Sequence, residues 1–238
     1  MEEVKPKKKK SKQLGKAVRF LLPTNKVHAT RIFITGRSGS GKTTLAVKIM
    51  TDYLLSRVHR FIVICPSFFT QKTFSNIVQF AAPEDIYIER PTEATFEKIR
   101  ADIQKDLEET PETRFLLFID DVSSDFSTNI GRKGAFASLS TEAPHINLSI
   151  LCLFQQAKTC SAAFRNNADN IIMFPPADRA ALDVFRDEFN PYVYDKQKAK
   201  EFETIVTEIW DQGDFIFIHR PARMQVISFK NFDSEIRL

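Results

Sequence analysis

Lys42, Thr43 and Thr44 stand directly behind three glycines, Gly36, Gly39 and Gly41, which share six positions of a chain that has seven glycines in all. The run Gly36-Arg37-Ser38-Gly39-Ser40-Gly41-Lys42-Thr43 satisfies the pattern G-x-x-x-x-G-K-[ST]. The chemistry such a run can do is phosphate binding. A triphosphate is held by backbone N–H groups turned inward, and residues without Cβ let the chain close around it. A helix starting at Lys42 adds the free N–H groups and the dipole of its first turn. Lys42 is expected to reach the β- and γ-phosphates, the Thr43 hydroxyl to ligate Mg²⁺, and Thr44 to touch the α-phosphate.

Hydrolysis also needs carboxylates. FLLFIDDV (115–122) offers an apolar run that ends in Asp120 and Asp121. Asp120 is expected to hold Mg²⁺ through water, and Asp121 to orient and deprotonate the attacking water. Asp125 is a further candidate for the second role. SILCLFQQAKT (149–159) is a buried run ending in Gln155 and Gln156. At the end of a parallel strand beside the phosphate loop, a glutamine can sense the γ-phosphate. Arg165, ten residues after Gln155, either reaches a neighbouring subunit's γ-phosphate or forms an ordinary salt bridge. No N-K-x-D guanine reader is present, since NKVH (25–28) fails at its fourth position.

These residues need a strand before each and a helix after the glycines. RIFIT (31–35), RFIVICPS (60–67), RFLLFIDD (114–121), LSILCLF (148–154) and NIIMF (170–174) read as strands. KTTLAVKIMTDYLLSR (42–57) has helical spacing, with Leu45, Ile49 and Leu54 on one face. TEATFEKIRADIQKDLEE (92–109) is a helix with Thr92 as N-cap and Thr95 as an alternative. PADRAALDVFRDEF (176–189) and DKQKAKEFETIVTEIW (195–210) also read as helices, and the stretch from Pro66 to about residue 90 as loop. DFIFIH and MQVISF are expected to close a hairpin across RPAR. Continuous apolar strands alternating with helices indicate a mainly parallel α/β sheet covered on both faces. A strand lying between the glycine-loop strand and the Asp strand marks the additional-strand, RecA-like type of P-loop NTPase.

Of 238 residues, 43% are apolar and 22 are phenylalanine, enough for a large aromatic core. Cys65, Cys152 and Cys160 show no paired spacing, and Cys65 and Cys152 sit in apolar runs, so buried thiols in a reducing, intracellular setting are expected rather than disulfides or metal ligands. No secretory leader and no run near the roughly 20 apolar residues that span a bilayer is seen, so no membrane partner is expected. Residues 1–19 hold eight Lys/Arg and two Glu, while the remaining chain holds 26 basic and 28 acidic residues. The basic character therefore belongs to the tail, KPKKKKSK above all. It is expected to be a disordered arm over 1–18 that is simply solvated, a nuclear localisation signal or a DNA contact.

ITGRSGSGKTT, FIVICPS, FLLFIDDV, HINLSILCLFQQ and FRNNADN together resemble, over about residues 30–175, the poxvirus-type genome-packaging ATPases of the FtsK/HerA superfamily. These occur in large DNA viruses, virophages and Polinton-like elements. The resemblance implies a homo-oligomeric ring, pentamer or hexamer, that hydrolyses ATP with Mg²⁺ to drive double-stranded DNA into a preformed capsid. It implies ATP binding by Gly36 to Thr44 (Arg37, Ser38, Gly39, Ser40, Gly41, Lys42 and Thr43 between them), Mg²⁺ on Thr43 and Asp120, catalysis by Asp121 and sensing by Gln155. Pro144 stands where relatives carry an arginine before His145, so Arg165 becomes the match to the trans-acting arginine. Capsid or portal vertex proteins would be partners, in a cytoplasmic viral factory or the nucleus. Arg132 and Lys133 in IGRKGAF (130–136) offer either a DNA-following pore loop or a solvated one. The rival functions are another translocase of that superfamily, serving conjugation or plasmid transfer, and a nucleotide-binding assembly switch with little hydrolysis. The expected layout is one P-loop domain over 19–238, with residues 176–238 as its extension.

Overall fold

The computed structural model describes residues 29–122, 134–176, 178–190, 192 and 194–220, and the backbone of 225–229. The expected tail, Asp125, Arg132 and Lys133 lie outside these residues. Eight strands form one sheet: β1 Arg31–Thr35, β2 Arg60–Ile64, β3 Ile86–Tyr87, β4 Phe115–Ile119, β5 Leu148–Phe154, β6 Asn170–Met173, β7 Phe215–His219 and β8 Gln225–Phe229. Their order is β3-β2-β4-β5-β1-β6-β7-β8. Pairing is parallel from β3 through β6, then antiparallel for β6–β7 and β7–β8. The expected hairpin thus extends the same sheet, and β5 does lie between β1 and β4.

Every residue of β4 and β5 is buried, which is why β4 reads as an unbroken apolar run and β5 as one interrupted only by Ser149, rather than as alternating strands. One polar chain crosses the sheet at the ends of β1, β5 and β6 remote from the glycine loop. Thr30 N donates to Ser149 Oγ at 3.2 Å, Asn170 Nδ2 donates to Thr30 Oγ1 at 2.9 Å, and Asn170 Oδ1 pairs with His219 Nδ1 at 2.8 Å. Buried polar groups are tolerated when satisfied in this way.

Helices cover both faces. On one, α1 (Lys42–Ile49) continues through a π turn, Met50–Leu54, and a 3₁₀ turn, Leu55–Arg57. The expected regular helix over 42–57 thus widens where the apolar step from Ile49 to Leu54 is five residues, and both remain buried. On the other face lie α2 (Glu93–Glu109), α3 (Ala135–Glu142), α4 (Ala162–Asn167), α5 (Arg179–Val184) and α6 (Lys196–Asp211). Phe96, Leu139, Phe164, Val184 and Trp210 carry them onto the sheet. Thr92 caps α2, and Thr95 is its reciprocal partner rather than an alternative: Thr92 N donates to Thr95 Oγ1 at 3.0 Å and Thr95 N to Thr92 Oγ1 at 3.3 Å. The helix expected from residue 176 starts at Arg179, behind two prolines and an Asp178 cap, and passes into a π segment, Phe185–Phe189. All three cysteines are free and buried. Among the described residues no helix is long and apolar enough to cross a membrane.

Candidate active site

The parallel sheet brings three strand ends to one edge. Gly36 follows β1, Asp120 follows β4 and Gln155 follows β5. Gly36 N donates to Phe154 O at 3.3 Å and Asp120 N to Ile64 O at 3.0 Å, which extends the ladders into the loops. A Cβ on Gly36 would lie 2.5 Å from Phe174 Cβ, so only glycine lets the loop pass β6's end. Gly41 has φ 95° and opens α1 from a left-handed conformation. Ser38, Thr44, Lys42, Asp120, Asp121 and Gln155 line one cavity of about 340 Å³.

Lys42 is buried, and its Nζ donates to Arg37 O at 2.8 Å, a contact that a phosphate oxygen can replace. Burial lowers the pKa of its ammonium, while nearby Asp120 opposes that shift. Thr43 Oγ1 donates to Asp120 Oδ2 at 2.9 Å, and Asp121 N donates to Asp120 Oδ1 at 2.8 Å. Burial pushes the Asp120 carboxyl up to about 6, against the pull of those two hydrogen bonds. Asp121 is exposed at the cavity and has φ 58°. Ser40 Oγ is buried with no hydrogen-bond partner. These features fit a triphosphate and a divalent cation: a glycine cradle, a buried cation, an unspent hydroxyl, and a hydroxyl–carboxylate pair in contact.

A carboxyl raised from its ordinary 3.8 binds its proton more tightly when folded, so its ionised form destabilises the fold once the pH has risen through about 6. That displacement is worth about 3 kcal/mol at pH 8. Asp120→Asn is therefore expected to raise the Tm of the metal-free protein in EDTA at pH 8 by about 6 to 12 °C, and by much less at pH 5. The same variant is expected to lose the further stabilisation that Mg²⁺ with ATP gives the wild type. Thermal melts at the two pH values check both.

The Arg165 side chain is turned into its own chain. Its guanidinium is buried, donating through Nε and one terminal nitrogen to Glu188 at 2.8 and 2.6 Å. The other terminal nitrogen donates to Ala157 O at 3.1 Å and to Cys160 O. Every face of the fork is engaged within its own subunit, so the expected trans-acting role is not supported. Arg165 instead ties the turn after Gln155 to the segment after α5. Removing one member of so buried a pair is expected to cost about 3 kcal/mol. Arg165→Ala should lower the Tm by about 6 °C or more, and mixing with intact subunits should not restore activity. His145 is exposed on the turn before β5 and makes no contact with the cavity.

Gln71 lines the same cavity and carries no motif that marks it. Its only sequence signal is its place just beyond a buried strand, β2, which neighbours the Asp strand β4.

A family model described as the NB-ARC domain matches residues 10–132, which include the phosphate loop, Asp120 and Asp121 and end before β5. No curated protein sequence matches the chain. Among solved structures, the genome packaging NTPase B204 of Sulfolobus turreted icosahedral virus 2, in complex with AMP, aligns with TM-score 0.57 and 15% identity over 85% of this chain and 98% of that one. The DNA-packaging ATPase B204 from Sulfolobus Turreted Icosahedral Virus aligns with TM-score 0.55 and 15% identity, over 83% and 96%. The pCW3 conjugation coupling protein TcpA, monomer form with ATPγS, aligns with TM-score 0.53 and 18% identity, over 86% and 61%. At such identities the likeness is one of fold. It is the P-loop NTPase fold.

Proposed function

Because this chain belongs to the NB-ARC domain family and has the fold of viral genome-packaging NTPases, we propose that it is an ATP-driven motor that moves double-stranded DNA into a preformed capsid. The supporting observation is the meeting of Lys42, the Thr43–Asp120 pair, Asp121 and Gln155 around one cavity at the ends of three adjacent strands. The B204 structures were obtained with AMP, ATPγS and AMPPCP, which supports a nucleotide in that cavity.

The loop N–H groups and Lys42 hold the β- and γ-phosphates. Thr43 and Asp120 would hold Mg²⁺, with phosphate oxygens and water completing its shell. When bound, that ion offsets charge on the phosphate oxygens. Asp121 takes a proton from the water that attacks the γ-phosphorus. The bond to the β,γ-bridging oxygen breaks, and ADP and phosphate leave. Gln155 donates to the γ-phosphate and reports its loss through the Arg165-tied turn. Translocation requires a ring of identical subunits, and docking requires capsid or portal vertex proteins, at the site where viral genomes are packaged.

The fold likeness to TcpA favours one second reading, a conjugative DNA translocase. Steady-state ATPase at low salt, with and without long double-stranded DNA, tests the motor. A several-fold rise on adding DNA supports it; hydrolysis indifferent to DNA supports a nucleotide-dependent assembly switch instead. Co-purification with capsid vertex proteins separates packaging from conjugation.

A further inference from the structure

The cavity holds a second glutamine that none of the motifs accounts for. After β2 the chain turns tightly: Phe68 N donates to Cys65 O at 3.1 Å, and both Thr70 N and Gln71 N donate to Ser67 O at 3.1 Å. The turn is rigidly anchored. Phe68 and Phe74 are fully buried with ring centroids 5.2 Å apart, and Phe74 packs at 5.8 Å on Phe118 of β4, the strand that Asp120 follows. Gln71 sits between these two phenylalanines in sequence and lines the cavity with Asp120, Asp121 and Gln155.

Its side chain is also held. Nε2 donates to Ser67 Oγ at 2.6 Å, and Ser67 Oγ pairs with Cys65 Sγ at 3.5 Å. The Cys65 thiol, buried beneath the site and pushed up to about 12, stays neutral and keeps that pairing. A primary amide has one acceptor oxygen and two donor hydrogens on nitrogen. With one N–H spent on Ser67, the carbonyl oxygen Oε1 has no hydrogen-bond partner among the described residues, and Gln71 lines the cavity.

A water aligned for attack has two protons to place. Asp121 can accept one. Unless a second acceptor takes the other, the water rotates and its lone pair leaves the in-line direction. We propose that Gln71 is a further catalytic residue of the hydrolysis: its Oε1 accepts a hydrogen bond from the attacking water and fixes it between Asp121 and the γ-phosphorus. Gln71 takes no proton. The water oxygen bonds to phosphorus, its first proton goes to Asp121, the bridging P–O bond breaks, and the second proton stays on the product phosphate. Ser67 positions the amide and touches no reacting atom. This inference rests on the ATPase reading of the same cavity.

The test compares Gln71→Ala, Gln71→Glu and Ser67→Ala with the wild type. It reads kcat and KM for ATP, affinity for a non-hydrolysable ATP analogue, and Tm. Gln71→Ala is expected to lose about 10- to 100-fold in kcat, with analogue affinity within about threefold and an unchanged Tm. Gln71→Glu keeps an acceptor oxygen and is expected to retain most of that loss-prone activity. Ser67→Ala is expected to fall between. A Gln71→Ala protein that turns over at the wild-type kcat overturns the proposal while leaving the ATPase reading intact. So does one whose kcat and analogue affinity fall together, or one that the Glu variant does not exceed. A wild type that binds the analogue and hydrolyses nothing overturns both.

Discussion

Lys42→Ala is expected to abolish ATP turnover, lowering kcat/KM by about a thousand-fold or more, equivalent to about 4 kcal/mol of transition-state stabilisation. The size follows from where the charge sits. Lys42 is buried in the first turn of α1, its ammonium is screened little by water, and its Nζ already lies against the loop carbonyl of Arg37. No other lysine or arginine among the residues lining the cavity can take its place. ATP affinity is expected to fall by about tenfold as well, because the same cation serves the ground state. Tm should hold or rise slightly, since burial already disfavours the charged form. Turnover, nucleotide titration and a melt on one preparation check all three. Undiminished turnover would remove the phosphate loop from the account.

Asp121→Asn is expected to separate binding from chemistry. The analogue should bind within about threefold of wild type while kcat falls by about 100- to 1000-fold. The variant is well chosen for the backbone: Asp121 has φ 58°, and asparagine is at home in that left-handed region. The hydrogen bond to Asp120 Oδ1 comes from the Asp121 backbone N–H, so it survives the change. What is lost is the carboxylate that takes the proton. A Tm within about 2 °C of wild type would show that the fold is intact. Full activity would move the base to Asp120 or to Asp125, which lies outside the described residues.

Much of this site was legible in the sequence because its parts are local. The glycine loop, the Asp pair and the glutamine each follow a largely apolar strand, and parallel order then forces their ends to one edge. The closing hairpin was legible for a similar reason, from two apolar runs around RPAR. What escaped was non-local. α3 has a short, Ser/Thr-containing sequence, and Ala135 N at its start is capped by Glu93 from another helix. α4 spans six residues and depends on the Ser161 cap, whose Oγ accepts from Phe164 N at 3.0 Å. β3 is two residues of pairing against β2. Arg165 misled because an arginine downstream of a sensor strand has the same sequence signature whether it points out or in. Only Glu188, 23 residues further on, decides that it points in. Gln71 belongs to a turn anchored by Phe74 on Phe118, a contact that spacing along the chain does not reveal.

The central claim is that hydrolysis in this cavity moves the protein along duplex DNA. Displacement of a third strand from a DNA triplex, with ATP and Mg²⁺ at stated low salt, tests it most directly. The account predicts displacement by the wild type that requires hydrolysable ATP and is absent in Lys42→Ala and Asp121→Asn. An actively hydrolysing wild type that leaves the third strand in place, on duplexes long enough to load a ring, would contradict it.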